Sequence, residues 1–224
     1  MKKIFICTPA YQGTVHVSYA LSLTETTRML SMHGFQYAIH IPTCGSLLVA
    51  DRNRLIHAFL ESGADYMFCI DSDIGWEPQA VMRMLTANKE FVAGVYPSRD
   101  GKTFIFRPFM EEDGKIIQCP ETSLLKMQCV SAGFMLIARS AIEKMINKFP
   151  HLHFKPKDER NTSGEGYCLF NTELIDGEFW GEDYVFCRRA EEAGIDIWVD
   201  PYFYFDHAGV KGSLVEILSD KKPE

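Results

Sequence analysis

Residues 50–74 read ADRNRLIHAFLESGADYMFCIDSDI, a helical pattern that ends at Gly63 and leads into a buried strand followed by two acids. The strand, predicted at 66–70, runs directly into Asp71-Ser72-Asp73. Burying either carboxylate would be costly, so both belong where the chain leaves the sheet. An ordinary turn also explains these residues, because Asp and Ser are common in turns. The position after a buried strand favours a site where carboxylate oxygens bind a divalent cation and phosphate.

The segments before and after this stretch alternate between strand and helix. Apolar runs predict strands at 3–8, 35–41, 66–70 and 91–96, and helical spacing predicts helices at 16–33, 47–60 and 78–88. This alternation predicts a parallel, doubly wound sheet, which binds its ligands at the carboxyl ends of its strands.

The pattern changes after residue 100. Short strands are predicted at 103–108, 115–119, 124–130, 134–138 and 195–199. Ser140 is predicted to cap a helix that runs to Phe149, and a further helix is predicted at 184–193. Residues 151–179 are polar without sustained periodicity, which predicts a long loop that closes over substrate. The fold class expected for residues 1–224 is therefore a single α/β domain with a mixed central sheet.

The composition limits the class of protein. The 224 residues, 46% of them hydrophobic, suit one well-packed core. A formal net charge of −7 argues against tight binding to a polyanion through long-range electrostatics. Seven scattered cysteines without a CxxC pair argue against a disulfide framework and a zinc site, and no apolar run is long enough for a membrane span. These features predict a cytoplasmic protein.

Two later motifs carry further reactive side chains. Glu182 and Asp183 open a helix, where the dipole favours an acid as a simple N-cap; the alternative is a general base that takes a proton from an incoming hydroxyl. His207 follows Asp206 at the end of the last strand. A lone histidine is often structural, and neutral imidazole is also an ordinary metal ligand.

The order of these motifs resembles that of the GT-A fold glycosyltransferases, in particular the inverting family-2 type. The resemblance covers nearly the whole chain and is carried by TPAYQG at 8–13, the 50–74 segment, AGF at 132–134, GED at 181–183 and HAG at 207–209. It implies a Rossmann-like, nucleotide-diphospho-sugar transferase domain. Residues 1–100 would bind the nucleotide sugar, and residues 101–224 would form the acceptor and catalytic half, with a mobile loop near 151–179.

The resemblance also implies roles for single residues. Nucleotide and diphosphate binding would fall to Thr8, Pro9, Tyr11, Asn53, Arg54, Asp71 and Ser72. Tyr11 could instead pack the first loop, and Arg54 could be a solvated helix residue. Apart from the resemblance, Arg99 follows the fourth predicted strand, where it could bind phosphate or acceptor charge, although a solvated basic turn explains it equally well.

On the catalytic side, the resemblance implies that Asp73 binds Mn²⁺ or Mg²⁺, with Asp71 and His207 as further ligands. Asp183 would be the base, and Glu182 would contact the acceptor or orient the loop. The implied activity is transfer of a sugar from a nucleoside-diphosphate sugar to an acceptor hydroxyl, with inversion.

Several features of the activity stay open. Many members of the family carry an acid after the second strand that reads the base, but here no acid follows until Asp51, so the donor base is undetermined. The acceptor could be a glycan, a protein, a small molecule or a modified nucleic-acid base. One alternative is a nucleotidyltransferase, but TPAYQGTVH lacks the Gly-rich basic loop typical of that class. Another is a non-catalytic nucleotide-sugar-binding module, against which the intact acids at 71, 73, 182 and 183 argue.

Overall fold

The computed structural model describes residues 1–45, 47–155 and 165–220. The helices in these ranges are α1 Val17–Met32, α2 Leu48–Glu61, α3 Pro78–Thr86, α4 Arg139–Lys148, α5 Glu182–Glu192 and α6 Leu214–Asp220. The strands are β1 Lys3–Cys7, β2 Ala10–Tyr11, β3 Gln36–His40, β4 Thr43–Cys44, β5 Tyr66–Ile70, β6 Ile74–Trp76, β7 Phe91–Ala93, β8 Phe106–Pro108, β9 Leu125–Val130, β10 Phe134–Ala138, β11 His153–Phe154, β12 Gly166–Tyr167, β13 Glu173–Ile175, β14 Glu178–Trp180, β15 Ile197–Val199, β16 Tyr204–His207 and β17 Val210–Ser213. None of these helices is both long enough and apolar enough to cross a lipid bilayer.

Eight strands of the described residues form the central sheet, in the order β3-β1-β5-β10-β7-β15-β9-β8. β1 is parallel to both β3 and β5, with Ile4 opposite Tyr37 and Tyr66. β10 is antiparallel to β5 and β7, and β9 is antiparallel to β15. The predicted fold class, an α/β fold with a mixed central sheet, is confirmed.

The strand order corrects one expectation about the first half. Residues 91–96 are predicted to continue a parallel sheet, but β7 is shorter and does not pair with β5. β10, whose sequence is the apolar FMLIA, inserts antiparallel between them. A strand with two hydrogen-bonded neighbours and helices on its faces must be apolar throughout, which fits a central position but does not reveal which strands flank it.

Three local predictions also differ from the structure. Ser140 lies inside α4 rather than capping it, and its hydroxyl lies 2.6 Å from Glu90 Oε1. Residues 115–119 form isolated bridges, such as Met110 to Ile116, instead of a regular strand. The predicted loop at 151–179 contains the short strands β11 to β14, and its residues 156–164 lie outside the described part of the chain.

A small three-stranded sheet, β17-β16-β6, packs on the central sheet through aromatic side chains. The Phe134 ring of β10 lies 4.9 Å from Phe205 of β16 and 5.6 Å from Trp76 of β6, measured between ring centres. β6 and β16 pair antiparallel with Ile74 opposite His207. This pairing brings the end of β16, which β17 follows, next to the turn after β5.

Candidate active site

The turn after β5 carries Asp71-Ser72-Asp73 to the carboxyl edge of the parallel strands. The amide of Asp71 donates to Gly133 O at 3.0 Å, and Ser72 O accepts from the amide of His16 at 2.8 Å. The amide of Ile74 donates to Asp71 O at 3.2 Å, which closes the turn before β6. These three hydrogen bonds fix the backbone of the turn, and its two carboxylates contact different partners.

Asp73 lies between the side chains of His207 and Arg99. Its Oδ2 atom is 3.3 Å from His207 Nε2 and accepts a hydrogen bond from Arg99 Nε at 3.1 Å. Burial disfavours the charged form of Asp73, but the hydrogen bonds from His207 and Arg99 outweigh it and lower its pKa to about 2. The same contact with Asp73 raises the pKa of His207. Asp73 is therefore an anion at neutral pH.

Asp73 and His207 suit a divalent cation. His207 Nδ1 lies 2.7 Å from Pro97 O, and because a carbonyl only accepts, Nδ1 carries a hydrogen. If a metal ion replaced the Nε2 proton, Nδ1 would keep its hydrogen and Nε2 would offer its lone pair beside the Asp73 carboxylate, the arrangement usual for a histidine metal ligand. The third predicted ligand, Asp71, faces elsewhere. Across the described ranges, no three acidic, histidine or cysteine side chains converge.

Asp71 is bound by Arg52, a side chain that the sequence patterns did not single out. Arg52 Nη2 lies 3.0 and 3.2 Å from the two carboxylate oxygens of Asp71, and Arg52 Nε lies 3.5 Å from Glu182 Oε1. Only 3% of the Arg52 side chain is exposed. One buried cation thus contacts an acid from the turn after β5 and an acid from α5.

Asp183 lies beside Glu182 in the first turn of α5, as the second residue of that helix. Burial, followed by the charge of Glu182, raises the pKa of Asp183 to about 6, although the amide of Tyr184 donates to it at 2.8 Å. A carboxylate with this pKa is largely ionised at neutral pH and still accepts a proton readily. Its acidity suits a general base.

Tyr96 is a second side chain that the predictions missed. Its ring centre lies 5.1 Å from that of His207, and its hydroxyl accepts from the amide of Gly133 at 3.2 Å. Burial and the nearby Asp71 raise the pKa of Tyr96 well above its usual value. A Cβ on Gly133 would lie 2.2 Å from Tyr96 Oη and 2.8 Å from Asp71 Oδ2, so only glycine fits between them.

The residues expected to line a nucleotide pocket differ in how far they are exposed to solvent. Tyr11, in the short β2 that follows β1, exposes 58% of its surface. Pro9 is buried, and the Thr8 hydroxyl is also buried, 2.6 Å from the Tyr19 hydroxyl. The structure thus leaves the Tyr11 ring available to a ligand and commits the Thr8 side chain to the interior.

The two α2 residues expected to face the nucleotide also have protein partners. Arg54 is half exposed and pairs with Asp51 at 2.9 Å. Asn53 is buried; its amide donates to Val49 O at 3.0 Å and to Phe170 O at 2.9 Å, and accepts from the amide of Phe170 at 2.9 Å. Asn53 therefore holds the segment after residue 165 against α2.

Helical spacing contained the signal for Arg52. Arg52, Leu55, Ile56 and Phe59 are all buried and lie three or four residues apart, on one face of α2. An arginine in a core stripe needs a buried acid as partner, because an unpaired buried charge is costly. Tyr96 offered a weaker signal, as an aromatic residue directly after a buried strand.

Comparison with known proteins gives similarity in structure alone. No protein-family model matches the sequence, and no curated protein is significantly similar to it. Among solved structures, the A197 protein of STIV aligns over 92% of this chain and 85% of its own, with 16% identity and a TM-score of 0.51. This likeness shows a shared fold.

Two further solved structures align less closely. A glycosyltransferase involved in glycosylating the major capsid of PBCV-1 aligns over 66% of each chain, with 13% identity and a TM-score of 0.37. A protein assigned as a glucose-1-phosphate thymidylyltransferase of Bacillus anthracis aligns over 100% of this chain and 97% of its own, with 12% identity and a TM-score of 0.44. At these levels of similarity, function has to be argued from the site.

Proposed function

We propose that this chain is a glycosyltransferase that moves a sugar from a nucleoside-diphosphate sugar to an acceptor hydroxyl, with inversion at the anomeric carbon. The observation that carries the proposal is Asp183, whose pKa of about 6 suits a base that works near neutral pH. Asp183 lies at the start of α5 next to Glu182, and Glu182 and Asp71 both contact Arg52. We therefore assign Asp71 to the donor side of a crevice and Asp183 to its acceptor side.

On the donor side, we assign Asp73 and His207 to a divalent cation, Mn²⁺ or Mg²⁺. A cation held by this pair would neutralise the charge that develops on the departing diphosphate. Arg99, whose side chain is largely exposed while it contacts Asp73, adds a guanidinium that can bind a phosphate oxygen. Tyr11 offers its exposed ring as a stacking surface for the nucleotide base.

On the acceptor side, Asp183 takes the proton from the acceptor hydroxyl as its oxygen attacks the anomeric carbon. The bond between that carbon and the diphosphate oxygen breaks in the same step, so the sugar configuration inverts. Glu182 contacts Arg52 and keeps the first turn of α5 facing the crevice. The buried Tyr96, which retains its proton, borders the same space.

The proposal is tested with a panel of nucleotide sugars, by following slow hydrolysis of the donor with and without Mn²⁺. Asp183→Asn should retain binding of the nucleoside diphosphate, measured by calorimetry, and lose about 100-fold or more of turnover, because the side chain keeps its shape but cannot take a proton. The matched control is Asp176→Asn, the same chemical change in the exposed β13–β14 turn, which should leave turnover unchanged.

The outcomes separate the alternatives. Full turnover by Asp183→Asn excludes that residue as the base. Release of pyrophosphate from a nucleoside triphosphate and a sugar 1-phosphate would instead identify a nucleotidyltransferase. Binding of nucleotide sugars without any turnover would identify a non-catalytic module.

A further inference from the structure

Four parts of the crevice meet at the Arg52 side chain. Its Nη2 atom bonds to Asp71 at the end of β5, and its Nη1 atom donates to Ala132 O at 3.3 Å in the turn before β10. Its Nε atom lies 3.5 Å from Glu182 Oε1 at the start of α5. The guanidinium carbon lies 5.7 Å from the centre of the Phe170 ring. A single residue of α2 therefore touches both the donor-side acid and the helix that carries Asp183.

The charge of this junction is permanent. Burial disfavours the charged form of Arg52, but Asp71, the Cys69 thiol and Glu182 outweigh that effect and hold the pKa above its usual range. A buried cation is tolerated only where such partners converge, and removing either the cation or its acidic partners leaves an uncompensated buried charge. The planar guanidinium serves Asp71, Ala132 and Glu182 from three separate nitrogens, which the single ammonium of lysine cannot reproduce.

The contacts of Arg52 are unequal. The contact with Asp71 has hydrogen-bond geometry to both carboxylate oxygens, whereas Nε has no hydrogen-bond partner among the described atoms. The ion pair with Glu182 is the longest of the contacts that Arg52 makes with oxygen atoms, and it is the one that depends on where α5 begins. Asn53, the next residue of α2, fixes the backbone of Phe170, which stacks on Phe186 of α5 with 4.2 Å between ring centres.

We propose that Arg52 is a positioning residue that sets the first turn of α5, and with it the base Asp183, relative to Asp71. The inference rests on the function proposed above in assigning Asp183 as base. Arg52 itself does not contact the substrate. It acts by holding two acids from different halves of the chain around one buried cation, so that the base faces the donor at a fixed distance.

The test compares Arg52→Lys with Arg139→Lys. Arg139 also binds backbone carbonyls, Ala64 O at 2.6 Å and Phe59 O at 3.0 Å, but at the far end of α2, where it touches no crevice residue. In Arg52→Lys, amide hydrogen exchange at Val185 and Phe186 should rise by about 10-fold or more, because the first turn of α5 opens locally. Arg139→Lys should leave exchange at these two amides unchanged.

A second readout separates positioning from general loss of stability. In Arg52→Lys, kcat for donor hydrolysis should fall by about 100-fold, while the Kd for the nucleoside diphosphate changes by less than about 5-fold. In a double-mutant cycle with Glu182→Gln, Arg52→Lys should cost less turnover than it does in the wild type, because one shared contact is already absent. Arg139→Lys should keep kcat within about 2-fold.

Equal exchange at α5 in the two lysine variants, or additive effects in the cycle, overturns the proposal. If Arg52→Lys does not fold, Glu182→Gln alone carries the exchange test, because that side chain is partly exposed and its neutral form keeps the same shape. If the wild type turns over no nucleotide sugar, the proposed function fails, whereas the exchange measurement still decides whether Arg52 positions α5.

Discussion

Asp73 and Asp183 are both partly buried, yet their surroundings move their acidities in opposite directions. Asp73 accepts hydrogen bonds from Arg99 and His207, and its pKa falls to about 2. Asp183 has Glu182 as its neighbour and one backbone donor close by, and its pKa rises to about 6. Two acids with separated pKa values are the pattern expected where one binds charge and the other transfers a proton.

The raised pKa of Asp183 predicts a stability cost that a neutral side chain removes. Its folded pKa of about 6 exceeds the value of 3.8 for an unperturbed aspartate. The folded protein therefore resists ionising this group, and the cost develops between about pH 4 and 6 and is complete above. Asp183→Asn should raise the free energy of unfolding at pH 7 by on the order of 2 kcal/mol, measured by urea denaturation.

The gain should largely disappear at pH 3.5, where Asp183 is mostly protonated in both the folded and the unfolded state. The control Asp176→Asn, on the exposed turn, should change the free energy of unfolding by less than about 0.5 kcal/mol at either pH. A gain that persists at pH 3.5 would mean that the effect does not come from ionisation of Asp183.

At the scale of elements, α2 connects parts of the crevice that are distant in the sequence. Arg52 reaches β5 and α5, and Asn53 holds both backbone groups of Phe170. The opposite end of α2 is anchored by Arg139 from the start of α4. The helix is thus fixed at both ends, and its first turns organise the site.

Asn53→Ala should destabilise the protein, because it leaves the buried N–H and C=O of Phe170 without their partners. The expected loss is about 2 kcal/mol in the free energy of unfolding, from urea denaturation with an unchanged m-value. The Phe170 amide should also exchange faster with solvent.

Thr24→Ala is the comparison for that measurement. The Thr24 hydroxyl lies on the exposed face of α1 and bonds only locally, to Ala20 O at 2.9 Å, so its removal should cost less than about 0.5 kcal/mol. A similar loss in both variants would show that Asn53 makes no special contribution.

At the scale of the whole molecule, the placement of His207 depends on how the small sheet packs on the central one. The contact runs through Phe134 and Phe205, directly over Gly94, which follows β7. A Cβ on Gly94 would lie 2.2 Å from Phe205 Cζ and 2.8 Å from Phe134 Cδ1. Glycine is needed there because the two sheets leave no space for a side chain.

Gly94→Ala should therefore force Phe205 away from the central sheet. We expect a loss of about 1–3 kcal/mol in the free energy of unfolding, because the core cannot take up an added methyl group without strain. Since β16 carries both Phe205 and His207, Mn²⁺ binding measured by calorimetry should weaken as well. Gly45→Ala is the matched control: a Cβ at Gly45 meets no atom within 4 Å, and stability should be unchanged. Equal stability of the two variants would contradict this account of the packing.

Much of the architecture could be predicted because its signals are local. Alternating strand and helix periods located β1, α1, α2 and β5 to within one residue at each end, and the acids after β5 follow from the cost of burying charge. The start of α5 was predicted two residues late, since helix ends depend on capping geometry that composition describes poorly.

The sequence by itself determined the alternation of elements, the apolar strands of the sheet and the chemical types that gather at its edge. Only the tertiary structure decided that β10 separates β5 from β7, that Arg52 pairs with Asp71, and that Asp73 meets His207. The physical reason is one of range. Periodicity and turn chemistry act within a few residues, whereas the partner of a buried charge or an inserted strand is set by the packing of segments far apart in the chain.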